Sequence, residues 1–346
     1  MTPARTRFQI VAIAFILSLS GISHAANKVL INGAGATFPA PIYMKWFQDY
    51  NKVHPSVEIN YQAIGSGGGI KQLTEKTVDF GASDAPMTDA EIAKVSGPVL
   101  HIPTVLGAVV MTYNLPAVKS PIKLDGETIA EIYTGKITKW NDPKMAALNK
   151  GLVLPDVSIV PIYRADSSGT TSVFTEYLGK VSAMWEKEVG HGKTVKWPSG
   201  IGGKGNEGVT GQVKNTPGAI GYIELTYATA EKLPMAELKN KAGNYITPSM
   251  KAVSEAAAGS LKTMPADFRV SITNAEGKTA YPISSFTYLL INKQMSGEKG
   301  KELVNFLNWA MTDGQKSAPA LSYAALPASM VPKIKEKIKA IVTAPK

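Results

Sequence analysis

Residues 157–181 read VSIVPIYRADSSGTTSVFTEYLGKV. A β-branched run as far as Arg164 predicts a strand, and TTSVFTEYLGKV carries the pattern of a helix. Between them the turn ADSSG leaves two readings of Ser168: a nucleophile on a sharp bend, or one donor in a cradle for an anion.

The same alternation recurs along the chain: VLING then FPAPIYMKWFQDYNKV, VEINYQAI then GIKQLTEKT, VDFGAS, LHIPTVLGAVVMTYN, and AIGYIEL then TYATAEKL. Strands alternating with helices give an α/β class with mostly parallel sheets covered by helices. No repeat, low-complexity tract or long Pro/Gly linker divides the chain. Two extended segments are suited to cross between domains: the apolar run at 102–113, ending in Asn114-Leu115-Pro116, and Tyr281-Pro282-Ile283 entering SSFTYLLIN. With crossings there, one lobe is 26–113 plus 283–346 and the other is 114–282. A single large sheet accommodates the same elements.

Three strands end in a small polar or Gly-rich turn that opens a helix: GAGATF at 33–38, GSGGG at 65–69 and RADSSGT at 164–170. Such junctions leave free backbone N–H groups and the positive end of a helix dipole at the C-terminal edge of a sheet. Ser and Thr add hydroxyl donors, and Gly lets a ligand approach the backbone. Capping alone is the ordinary role of one such junction. Three of them, one bearing an Arg, favour anion recognition.

Nucleotide loops are not matched. GAGATF has Phe38 where a dinucleotide loop needs its third glycine. GHGKT at 190–194 has Lys187 in place of the leading glycine of a P-loop, and Gly202-Gly203-Lys204-Gly205-Asn206 lacks a following Ser or Thr. The nucleophile reading of Ser168 has little more support, since a GxSxG elbow is absent and Asp166 and Thr170 stand at its glycine positions. A triad also needs a histidine within reach. Past residue 25 there are only His54, His101 and His191, each in a structural or surface setting and none paired with acids as metal ligands. No metal or cofactor is implied.

At the N-terminus, Arg5 and Arg7 precede an apolar run from Ile10 to Leu19 and then Ser23-His24-Ala25. This is the pattern of a secretory signal cleaved after Ala25, with an uncleaved anchor as the alternative. No Cys follows the run to carry a lipid, and a Gram-negative periplasm fits best. The whole chain has no cysteine, so disulfides and thiolate sites are excluded. Its net charge is +10, or +8 without Arg5 and Arg7, but the lysines are scattered and nucleic acid is not indicated.

GAGATFPAP (33–41), IGSGGGIKQ (64–72), VDFGASDAP (78–86), RADSSGTT (164–171), TVKWPSGIGGKGNEGV (194–209) and PGAIGYIE (217–224) together resemble the periplasmic phosphate-binding proteins of the phosphate-specific ABC transporter. The likeness runs in order from the signal to the tail NFLNWAMTDGQKSAPALSYAALP. It implies a type II periplasmic binding protein fold: two mixed, mostly parallel sheets flanked by helices, with a cleft between lobes. It also implies a monomer that binds inorganic phosphate without turning it over and delivers it to permease subunits and their ATPase. Carried over by motif, Thr37, Phe38 and Ser66 would donate from one side, and Asp84 would accept the ligand's own proton. Arg164, Ser168, Gly169 and Thr170 would close the other side, with Asp166 holding Arg164. Two positions depart from the family's habit: Ser167, where Gly is frequent, and Gly67, where a second Ser is common.

Overall fold

The computed structural model describes residues 28–295 and 297–343. The secretory segment expected at 1–25 lies outside them. The strands are β1 (Val29–Gly35), β2 (Val57–Ala63), β3 (Phe80–Ser83), β4 (Val99–Tyr113), β5 (Lys123–Leu124), β6 (Val160–Arg164), β7 (Ile201–Gly203), β8 (Ala219–Glu224), β9 (Glu237–Lys239), β10 (Tyr245–Ile246) and β11 (Ser284–Asn292). The helices are α1 (Ala40–Val53), α2 (Ser66–Thr74), α3 (Asp89–Ile92), α4 (Gly126–Tyr133), α5 (Pro143–Leu148), α6 (Gly169–Val181), α7 (Ala183–Glu188), α8 (Gly205–Asn215), α9 (Leu225–Ala230), α10 (Met250–Ala258), α11 (Gly297–Ala310) and α12 (Val331–Lys339).

Eight strands follow the order β2-β1-β3-β11-β4-β8-β6-β7, and β10-β9-β5 form a small second sheet. The expected pair of sheets is present as two parallel triplets, β2-β1-β3 and β8-β6-β7, joined through antiparallel β11 and β4. The 15-residue β4 belongs to both: its first part pairs with β11, and Val109–Tyr113 pair with β8. The apolar run at 102–113 thus lies in a single strand that pairs with both β11 and β8.

Register decides where the strand ends meet. Ser83, at the end of β3, lies opposite Tyr288, which lies opposite Pro103, while Glu224, at the end of β8, lies opposite Val109. The two triplets run towards each other along β4, so their C-terminal ends converge at its middle. Loops that are distant in sequence are brought there together.

Each half has its own aromatic core. In α1, Pro41 suits the first turn, and Ile42, Tyr43, Trp46, Phe47 and Tyr50 fall on one buried face. Phe47 packs against Tyr61, Phe80 and Phe306. In the other half Tyr222 stacks on Phe174 at 4.2 Å and on Trp197 at 5.8 Å. With no covalent cross-link, this burial holds the strand ends in place.

Candidate functional site

Arg164 ends β6 with its side chain turned into the protein, and the residue is 3% exposed. Its Nε donates to Asp166 Oδ1 at 2.8 Å, Nη2 to Asp166 Oδ2 at 2.6 Å and Nη1 to Thr170 Oγ1 at 3.2 Å. These bonds use three of the guanidinium's five N–H groups. Burial opposes the Arg164 charge, but the Asp166 carboxylate outweighs it and keeps the guanidinium firmly protonated. Burial likewise opposes the Asp166 charge, and Arg164 pulls that carboxyl below its usual range. Gly205 N–H donates to the same carboxylate at 3.0 Å.

Ser168 is the N-cap of α6: its Oγ accepts the Thr171 N–H at 3.0 Å and its own N–H donates to the Lys193 carbonyl at 2.8 Å. Gly169 and Thr170, in the first turn, have no intrahelical acceptor for their N–H groups. Among the described residues no histidine bonds to Ser168. His101 Nε2 accepts the Met87 N–H, His191 pairs with Glu186 at the surface, and His54 stacks on Tyr50. Burial holds His101 down at about 4, so it stays neutral.

Asp84 follows β3 and is 1% exposed. Its Oδ1 accepts the Thr287 hydroxyl at 3.1 Å, its carbonyl accepts the Ser285 hydroxyl at 2.9 Å, and its N–H donates to Ser66 Oγ at 3.3 Å. Burial pushes the carboxyl up to about 7, against the pull of Arg164 and of hydrogen bonds from Thr287, Thr170 and Ser66. Gly169 closes onto this group: a Cβ there would stand 2.7 Å from Asp84 Oδ2 and overlap Ser66 Oγ.

The two departures from the family's habit face each other. Gly67 N–H donates to the Ser167 carbonyl at 3.0 Å, and a Cβ at 67 would overlap Ser167 Oγ. The side chain missing from one wall leaves room for the one added to the other.

Thr37 lies in the turn between β1 and α1. Its Oγ1 accepts from Asn206 N at 3.1 Å and from Asn206 Nδ2 at 2.8 Å. The same Nδ2 donates to Thr170 Oγ1 at 3.2 Å, and Asn206 Oδ1 accepts the Glu224 N–H at 2.9 Å. Phe38 is buried beside Thr37, and its carbonyl accepts the Tyr323 hydroxyl at 2.6 Å. All eight expected residues thus border one place where the strand ends converge. Sequence reasoning missed Asn206 and Thr287. Asn206 sits in a fourth strand-turn-helix junction, β7 into α8, whose signal GGKGN is the run rejected as a nucleotide loop. Thr287 had none, being one more β-branched residue of a strand.

The cluster has the architecture of a two-lobed solute-binding protein, and the sequence agrees. A model of the PBP superfamily domain matches residues 22–313. The chain is 44% identical to the phosphate-binding protein PstS of Pasteurella multocida over 311 residues, covering 89% of this chain and 90% of that protein. With the phosphate-binding protein PstS of Haemophilus influenzae the identity is 43% over 328 residues, covering 94% and 97%. In structure, a high-affinity periplasmic phosphate-binding protein solved with phosphate bound superposes with a TM-score of 0.72 at 20% identity, over 88% of this chain and 93% of that one. The chain belongs to the family of PstS phosphate-binding proteins. That family is one of substrate-binding transport proteins. Among the described residues, no helix is long and apolar enough to cross a membrane.

Proposed function

We propose that the chain binds one inorganic phosphate between its lobes, leaves it chemically unchanged and hands it to the permease subunits of an ABC importer driven by their ATPase. In this reading it works as a monomer in the periplasm, after loss of residues 1–25. One lobe is 26–113 with 283–346 and the other 114–282, the chain crossing along β4 and just before β11. Thr37, Phe38 and Ser66 donate from the first lobe, and Arg164, Ser168, Gly169 and Thr170 from the second.

The observation that carries the reading is the pairing of a buried cation, Arg164, already neutralised by Asp166, with a buried acid, Asp84, across a ring of hydroxyls and helix starts, while burial holds the neighbouring Glu224 well above the usual carboxylate range. A dehydrated dianion there is stabilised by local dipoles and N–H groups rather than by a surplus of positive charge. Asp84 supplies what a fully ionised anion cannot use. Phosphate keeps at least one O–H near neutral pH and shares that proton with the carboxylate, whereas sulfate has none to share. Among the described residues no histidine bonds to Ser168, its hydroxyl oxygen caps the Thr171 N–H, and Asp166 is held by Arg164, so turnover is not supported.

Calorimetry of phosphate-stripped protein tests this. Phosphate and arsenate should each titrate to one per chain and sulfate should give no heat. Absence of phosphate binding, equal affinity for sulfate, or steady hydrolysis of a chromogenic phosphate ester lost on Ser168→Ala would each reject the proposal.

A further inference from the structure

GHGKT at 190–194 fails as a phosphate loop, yet its lysine has a defined place. Lys193 lies between α7 and β7. Its ammonium reaches the opposite half of the molecule, with Nζ 2.9 Å from Glu91 Oε2, 3.1 Å from Glu91 Oε1 and 3.5 Å from the Pro86 carbonyl. The side chains are only 10% and 27% exposed, so water screens this pair less than an open surface bridge. Lys193 also accepts the Ser168 N–H on its carbonyl at 2.8 Å. One residue therefore ties the cap of α6 to the segment that follows Asp84.

The partner is held ready. Glu91 completes a capping box on α3, its Oε2 accepting the Thr88 N–H at 2.8 Å. The same short helix is anchored by Arg269, whose Nη1 meets Asp89 Oδ1 at 2.6 Å while its Nε meets Asp267 Oδ2 at 2.8 Å. Asn206 to Thr37, Gly67 to Ser167 and Tyr227 to Thr37 bridge the halves beside the site through neutral groups, and across the same lobe bounds Arg269 with Asp89 is a further charged bridge, more exposed at its carboxylate. Lys193 with Glu91 adds a charged contact to them.

We propose that the Lys193–Glu91 pair is a closure latch: it is made only when the lobes meet, and it sets how slowly a bound phosphate leaves. The inference rests on the phosphate-binding reading above. Encounter with the open cleft precedes the latch, so its loss acts on the dissociation rate and leaves association nearly unchanged.

The test uses the full mature chain and three variants: Lys193→Met, Glu91→Gln, and both together. Gln at 91 retains an acceptor for the Thr88 N–H, which keeps the capping box. Each single variant should release phosphate about 5- to 30-fold faster in a stopped-flow chase. The double variant should match the singles rather than multiply them, because one interaction is lost once. Added KCl should speed release from the wild type more than from Lys193→Met. Release at the wild-type rate from folded single variants overturns the latch alone. Multiplying effects also overturn it, since two separate structural roles would be responsible. A wild-type chain that binds no phosphate overturns both the latch and the function on which it rests.

Discussion

Gly169, the first residue of α6, is packed so closely on Asp84 that one methyl group would not fit between them: a Cβ at 169 would stand 2.7 Å from Asp84 Oδ2. Residue 169 follows β6 and residue 84 follows β3, so the contact spans the two halves of the sheet. Gly169→Ala should therefore hinder closure without harming either core. Phosphate affinity should fall at least about tenfold, the equivalent of roughly 1.4 kcal/mol, while the melting temperature of the ligand-free protein holds. Calorimetry and thermal melts decide it, and unchanged affinity would mean that the lobes bind without this approach.

Arg164→Ala should weaken phosphate binding by about 3–5 kcal/mol, the usual cost of breaking a buried charged pair by removing one partner. Asp166 would then face the ligand as an uncompensated negative charge. Titration of a variant with a native circular dichroism spectrum tests this, and binding within a few-fold of wild type contradicts it.

Asp84→Asn keeps the size and an acceptor oxygen but removes the charge. Phosphate and arsenate should still bind, while discrimination against sulfate, expected at about 10⁴ to 10⁵ for a site built around a ligand hydroxyl, should shrink by orders of magnitude. The measurement is displacement of phosphate by sulfate at equal ionic strength. An unchanged ratio of affinities would remove Asp84 from selectivity.

The same carboxyl should mark the stability of the phosphate-free protein. Burial raises it from 3.8 in the unfolded chain to about 7 in the fold, so the native state keeps a proton that the unfolded state releases. The resulting stability is fullest below about pH 4, declines from about pH 4 to 7 and is lost above. Asp84→Asn should melt higher than wild type at pH 8, with the difference closing towards pH 4. Melting curves that stay parallel across this range would show that Asp84 does not titrate as its burial requires.

Gly67→Ser alone should weaken binding, because the new side chain meets Ser167 Oγ across the cleft. Adding Ser167→Gly should restore it, as the volume then changes walls without increasing. Equal affinity in wild type and Gly67→Ser would show that the two walls do not meet in the bound state.

Local chemistry made part of this protein legible in its sequence. The strand-turn-helix junctions could be read because a cap depends on residues within about three positions: Ser168 bonds to Thr171 N–H, and the turn at 65 needs a glycine, its φ being 87°. Arg164 and Asp166 could be paired because they are two residues apart. The contacts that make one site of these pieces are not local. Asn206 meets Thr37 across 169 positions, Thr287 meets Asp84 across 203, and Lys193 meets Glu91 across 102. No periodicity or spacing encodes such pairs. They follow from the register of β4, along which two parallel triplets run in opposite directions until their C-terminal ends coincide. Burial at that meeting point then raises the pKa of Asp84, a property that a carboxylate in a turn does not have until tertiary packing removes it from water.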